Sequence, residues 1–197
     1  MKIVILFNIW RIFPVYFMIC FNKNKTKILE ELEYWGECSK LNISNNFALL
    51  SILLMKKKEY RNLLYARLRE STNFNYLVFR ILFPLMDTLH ICCDDIGKCL
   101  YIQHGFATQI SAKTIGEYCW INQQVTVGYG FSDTPPSIGN GVRISAGAKV
   151  IGNIMLGDNS IIGANAAVVK NVDENAIVGG VPAKNIGTNT EHKLFIK

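Results

Sequence analysis

The chain has 197 residues, half of them hydrophobic and 18% charged, a balance that excludes wholesale disorder. Five prolines against fifteen glycines exclude collagen-like and proline-rich classes, and no apolar run reaches the roughly 18 uncharged residues of a membrane span. The formal charge of +6 lies wholly in the first half: residues 1–90 carry thirteen Lys/Arg and seven Asp/Glu, whereas residues 91–197 carry eight of each.

The opening stretch Ile3–Phe21 is apolar, but Asn8, Arg11 and Pro14 interrupt it and no small-residue cleavage site follows. It reads as a buried helix against the rest of the domain or a neighbouring subunit, with a membrane-surface helix as the alternative. Lys27–Cys38 places Ile28, Leu29, Leu32 and Trp35 at helical spacing, and Tyr60–Leu68 does the same with Leu63, Leu64, Tyr65 and Leu68. Asn42–Asn46 is a break, and Phe74–Leu89 is a further apolar helix that Pro84 kinks or ends. Lysine blocks such as Lys23, Lys25 and Lys27, or Lys56–Lys58, read as solvated helix faces, because no nucleic-acid motif accompanies them. Cys20, Cys38, Cys92, Cys93, Cys99 and Cys119 lack a secreted-scaffold spacing, so mostly buried free thiols of a cytoplasmic protein are expected. His90 with Cys92, Cys93 and Cys99 matches no metal-ligand pattern, and no metal is expected.

Beyond residue 90 the pattern changes. Every sixth residue from Ile138 is aliphatic: Ile138, Ile144, Val150, Leu156, Ile162 and Val168. Ile115, Ile121 and Val127 keep the step upstream, and Ile96 and Ile102 begin it. Val142, Ala148, Ile154, Ser160 and Ala166 stand two before the later members, and Gly139, Gly157 and Gly163 follow three of them directly. A period of six scatters residues around an α-helix. It fits a parallel β-helix in which each hexapeptide forms one flat side and three sides make a coil of about 18 residues. The organisation expected is a helical region over residues 1–90, a β-helix domain over 91–187 and a tail over 188–197.

Two places break the step. Ile102 and Ile115 are thirteen apart, with Thr108 where an aliphatic is expected, and this interval holds His104. Val127 and Ile138 are eleven apart, across Gly-Tyr-Gly-Phe-Ser-Asp-Thr-Pro-Pro-Ser, a loop composition. Function tends to sit where a regular scaffold is interrupted.

These repeats, with Ile102-Gln103-His104-Gly105, Ile121–Gly128, Gly147–Ile154, Ile162–Ala166 and the closing Gly180-Val181-Pro182-Ala183-Lys184, resemble the hexapeptide-repeat acyltransferases, and within them the serine acetyltransferase branch. The resemblance implies a mainly β fold, a left-handed parallel β-helix after an α-helical N-terminal region. It also implies a homotrimer, with a dimer of trimers left open, and acetyl-CoA as acyl donor in the groove between subunits. His104 matches the catalytic histidine, which as a neutral imidazole takes the acceptor hydroxyl's proton. Ala146 and Ala164 match small residues beside the pantetheine arm, and Lys170 and Lys184 match positions whose charge meets the coenzyme phosphates.

The chain also departs from that branch. The carboxylate expected fifteen residues before the histidine falls on Leu89, or on His90 with a one-residue gap. Asp87, Asp94 and Asp95 are close in sequence but out of register, and Gln103 replaces the acid directly before the histidine. The Arg-His pair that clamps an amino acid aligns with Thr134 and Pro135, and residues 128–137 hold no guanidinium. A loop without that cation is poorly built for a free amino-acid carboxylate. The acceptor expected is therefore a sugar hydroxyl of surface-polysaccharide biosynthesis, met by Gln103, Tyr129 and Asp133. Serine O-acetylation for cysteine biosynthesis, and a non-catalytic or metal-binding β-helix, are the alternatives.

Overall fold

The computed structural model describes residues 2–69, 75–93, 95–131 and 133–190. The chain forms two compact units, residues 1–86 and 87–197. The second starts earlier than the break expected after residue 90, because Leu89–Ile91 is already a strand of its sheet system, paired with Thr108–Ile110.

The first unit consists of α1 (Lys2–Cys20), α2 (Lys25–Cys38), α3 (Asn46–Lys56), α4 (Lys58–Arg69) and α5 (Asn75–Leu82). Helix α3 lies in a run that is apolar all round, so no 3.6-residue stripe marks it. Leu49 through Leu54 are all buried, and the Asn45 side chain caps its start by accepting from the Ala48 N–H at 2.9 Å. Helix α5 ends at Leu82, two residues before Pro84, and Leu89 belongs to a strand rather than to this helix. Helix α1 runs through Pro14, but only one face of it is buried, through Ile12, Val15 and Ile19. Its opposite face is exposed in the single chain, so the expected burial is met here on one face only.

The core of this unit packs Trp35 against Tyr60 with ring centroids 5.3 Å apart. It also encloses an ion pair. Arg67 donates from Nη2 to Glu31 Oε1 at 2.7 Å and from Nε to Glu31 Oε2 at 3.1 Å, with both side chains buried. The fork geometry satisfies both partners, whereas either charge alone would be left uncompensated in an apolar interior.

The second unit is a parallel β-solenoid with three faces. One face stacks β1 (Leu89–Ile91), β3 (Thr108–Ile110), β6 (Thr126–Gly128), β9 (Lys149–Ile151) and β12 (Ala167–Val168). The second stacks β4 (Thr114–Ile115), β7 (Ser137–Ile138) and β10 (Met155–Leu156). The third stacks β2 (Tyr101–Ile102), β5 (Trp120–Ile121), β8 (Arg143–Ile144), β11 (Ile161–Ile162) and β13 (Ala176–Gly179). Here β14 (Lys184–Thr188) folds back antiparallel on β13, so the ordered chain continues into the segment expected to begin a tail; residues 191–197 lie outside the described residues. Ile102, Ile121, Ile144, Ile162 and Val178 stand in register on the third face, and every one is buried. The aliphatic step seen in the sequence is this inward stack.

All six cysteines are free; Cys93, Cys99 and Cys119 are buried and Cys92 is exposed. No helix among the described residues is long and apolar enough to cross a membrane.

One edge of the prism is unusually tight. Gly97, Gly116, Gly139 and Gly157 each follow the inward residue of the second face, and each donates its N–H to the coil below, Gly116 to Ile138 O at 2.8 Å and Gly139 to Leu156 O at 2.9 Å. A Cβ on Gly116 would lie 2.5 Å from the carbonyl carbon of Gly139. That neighbour is backbone and cannot rotate away. Gly116→Ala is therefore expected to destabilise the protein by about 1–3 kcal/mol, measured as a lower urea midpoint; an unchanged midpoint would show that the coils have slack here.

Burial pushes the Cys119 thiol up to about 12 and the Cys38 thiol up to about 11. The unfolded thiols ionise near 9, so the unfolded chain loses protons first as pH rises. The thiols' stabilising contribution is complete below pH 9 and is lost as pH climbs through 11–12. Denaturation midpoints should fall from pH 8 to pH 10.5, and a flat profile would contradict this assignment.

Candidate active site

The register of the third face fixes one corner of the prism. Backbone bonds from Gln103 N to Ile121 O (2.8 Å), Asn122 N to Ile144 O (3.0 Å) and Ser145 N to Ile162 O (2.9 Å) carry the ladder past the strand ends. The next residue of each coil is His104, Gln123, Ala146 and Ala164. Three of the expected site residues thus share one column. Gln123 completes it and was not anticipated. Its Oε1 is buried without a hydrogen-bond partner, which in a folded protein marks either strain or a ligand position. Nothing in its sequence context distinguishes it from the other polar turn residues.

The corner is irregular at His104. Ile110 pairs with Val127, so eight steps separate Ile102 from Ile110, where six separate Ile121 from Val127. Two extra residues bulge out between Gln103 and Ala107. The next corner is one residue short, five steps from Ile110 to Ile115, and together these make the interval of thirteen. Thr108 does not occupy an aliphatic slot. It lines up with Val125 in the small-residue position, fully buried, and its hydroxyl donates to Phe106 O at 3.1 Å. His104 and Ala107 both take left-handed backbone, φ +56° and +50°. Cys99, Tyr118 and Gln124 take the same conformation at other turns, so it belongs to the solenoid's corners. His104 is exposed on this bulge.

Two neighbours bear on the imidazole's surroundings. Gln103 is half-buried, and its Oε1 accepts from Trp120 Nε1 at 3.2 Å, while Trp120 packs on Tyr101 with centroids 4.5 Å apart. Its oxygen is thus turned onto the protein. On the other side, Leu89 pairs with Thr108 and Thr108 N donates to Thr88 O at 2.9 Å. The same register sets Asp87 one coil from the bulge at this corner. Leu89 itself is a buried strand residue, His90 lies exposed on β1, and Asp94 is outside the described residues.

The remaining expected residues lie elsewhere. Tyr129 and Asp133 are exposed in the loop that leaves the far end of β6. That puts them at the opposite end of the first face from His104 within one chain. Ser132 of this loop is outside the described residues. Lys170 and Lys184 come together: both line a cleft of about 270 Å³ at the last coil, with Val168, Val172 and Val178 at its base. Ala146 and Ala164 do not line it. Among the described residues, no group of three His, Cys, Asp or Glu side chains is placed to hold a metal.

The Thr108 hydroxyl ties the bulge to the coil, so Thr108→Val should cost about 1–2 kcal/mol of stability. If the bulge positions His104 for chemistry, Thr108→Val should also lower kcat with little change in KM, and Thr108→Ser should restore both. Equal kcat in all three proteins would remove Thr108 from the site.

Residues 135–170 match the family described as bacterial transferase hexapeptide (six repeats). A serine acetyltransferase of Synechococcus elongatus is 38% identical over 95 residues, 46% of this chain and 39% of that protein. One from Mycobacterium tuberculosis is 41% identical over 101 residues, 47% of this chain and 42% of that protein. The aligned stretch thus spans about two fifths of the length of these relatives. Among solved structures, serine acetyltransferase from Brucella abortus strain S19 superposes with a TM-score of 0.66 at 26% identity, covering 89% of this chain and 74% of that one. The hand of the coil follows from the family and is left-handed, against the usual right-handed rule for parallel crossovers. Residues 135–170 thus carry the bacterial transferase hexapeptide repeat, and about half of the chain is similar to serine acetyltransferases.

Proposed function

We propose that the protein is an O-acetyltransferase that moves an acetyl group from acetyl-CoA to a hydroxyl, with His104 as general base. The observation that supports this best is His104, exposed on a two-residue bulge at the head of the column that runs through Gln123 to Ala146 and Ala164. Neutral imidazole is the side chain suited to take a hydroxyl proton near pH 7. As the hydroxyl oxygen attacks the thioester carbonyl, His104 accepts its proton. The carbon–sulfur bond then breaks, and the proton passes from His104 to the departing thiolate of coenzyme A. A backbone N–H near the corner would steady the tetrahedral oxyanion. We take Asp87 as the carboxylate that would orient the imidazole, on the strength of the Leu89–Thr108 register. Ala146 and Ala164 would leave room for the pantetheine arm, and Lys170 and Lys184, which line one cleft, would supply positive charge for its phosphates. In a homotrimer the loop of one subunit would meet His104 of the next, which supplies the proximity that one chain lacks.

The relatives named above are serine acetyltransferases, so the sugar acceptor expected from the loop gains nothing from them, and serine becomes the first acceptor. One observation keeps the sugar as a second reading: residues 128–137 contain no Lys, Arg or His to meet an amino-acid carboxylate, while Tyr129 and Phe131 are exposed there.

Thiol release from acetyl-CoA, measured with serine and with a panel of sugars and nucleotide sugars, tests both readings. Turnover of serine is expected, and His104→Ala should reduce it on the order of 10²–10⁴-fold. Ala164→Leu should raise KM for acetyl-CoA while leaving the fold intact. Turnover of sugars alone would move the assignment to the second reading. A His104→Ala protein as active as the parent would refute the mechanism.

A further inference from the structure

Helix α1 carries a feature the proposed chemistry does not use. Ile12, Val15 and Ile19 pack inward. On the other side Trp10, Phe13, Phe17 and Phe21 are 65%, 62%, 56% and 76% exposed. Steps of three, four and four keep these four aromatics in one narrow stripe along the helix and its first following residue. Phe17 and Phe21 pack against each other with their rings tilted, centroids 4.5 Å apart. Arg11 Nε donates to Leu82 O at 3.0 Å and so ties α5 to α1; α5 in turn exposes Leu77 and Ile81. A contiguous aromatic patch of this kind marks a surface that meets an apolar partner.

The charge selects that partner. The first 29 residues contain five Lys/Arg and no Asp or Glu. Exposed Lys23 and Lys25 follow directly on Phe21, at the end of the aromatic stripe. Two copies of α1 packed face to face in parallel would set Lys23 and Lys25 against their counterparts with no acid in the first 29 residues to offset them. A bilayer surface rich in anionic phospholipid offers both complements at once, acyl chains for the rings and phosphates for the lysines. Tryptophan and phenylalanine at the boundary, with lysine just beyond, is the arrangement of a helix lying in the interface. Helix α1 does not meet the requirement for a span.

We infer that α1 is an in-plane membrane helix which seats Trp10, Phe13, Phe17 and Phe21 in an anionic phospholipid surface, with Lys23 and Lys25 against the headgroups. This does not depend on the acyl-transfer reading, since binding is measured without substrate.

The test is co-sedimentation of the full chain with vesicles of phosphatidylglycerol and phosphatidylcholine, beside vesicles of phosphatidylcholine alone. Binding should be about tenfold or more stronger on the anionic vesicles, and should weaken in high salt as the Debye length contracts. Trp10 is the exposed one of the three tryptophans, so its emission should shift to the blue on binding, and Trp10→Phe should abolish that shift. Phe13→Ser/Phe17→Ser and Lys23→Glu/Lys25→Glu should each reduce binding about tenfold. The lysine variant changes only exposed side chains and keeps the test decisive if the serine variant fails to fold. Absence of binding to anionic vesicles would overturn the inference. So would unchanged binding by both variants, or a fall in solution mass by light scattering in the serine variant with vesicle binding intact, which would give the face to a second copy of the chain.

Discussion

The β-helical half depends on one constraint: each coil must present an aliphatic side chain directly above the one before it, at hydrogen-bonding distance of main chain from main chain. Ile121 can lie over Ile144 only because Trp120 N reaches Val142 O at 2.9 Å and Asn122 N reaches Ile144 O at 3.0 Å. The ladder sets the rise, the rise sets the contact, and the contact buries apolar area at about 25 cal/mol per Å². No coil has a core of its own. Each owes its stability to its neighbours, so any departure from the step must be absorbed inside a single turn.

That requirement explains where chemistry can sit. The bulge that carries His104 adds two residues at one corner, and the following corner gives one back, so β4 meets β7 in register with no displacement passed downward. Thr108 seals the bulge by replacing an aliphatic methyl with a hydroxyl that satisfies Phe106 O. The longer loop after β6 is absorbed in the same way, with Pro136 O returning to the ladder by accepting from Lys113 N at 2.8 Å. The exposed imidazole is therefore held by a rigid frame although it stands on irregular backbone.

The stacked coils were legible in the sequence because a period of six leaves its mark on every turn. The interruption at His104 was legible too, but as one extra residue rather than a gain of two and a loss of one. Only pairing between strands separates those cases. Gln123 was missed because a polar residue at a turn is unremarkable until its oxygen is found buried without a partner. In the helical half, α3 was invisible to periodicity because Leu49 through Leu54 are all buried, and α1 buries one face only within the chain. Its composition suggests burial, yet the same aromatic content serves an outward stripe. The Glu31–Arg67 pair sits 36 residues apart in sequence, and neither member carries a local signal that its charge is enclosed.

The three edges of the prism divide the labour unequally. Where Gly97, Gly116, Gly139 and Gly157 line up, main chain rests on main chain, and the nearby polar groups are already committed: Asn140 Oδ1 accepts from Glu117 N at 2.9 Å, and Asp158 Oδ1 accepts from Asn140 N at 2.8 Å. That edge has no room for a larger side chain at its glycines. Change that alters what the protein recognises is thereby channelled to the other two edges, where an inserted residue can swing outward without disturbing the coil beneath it.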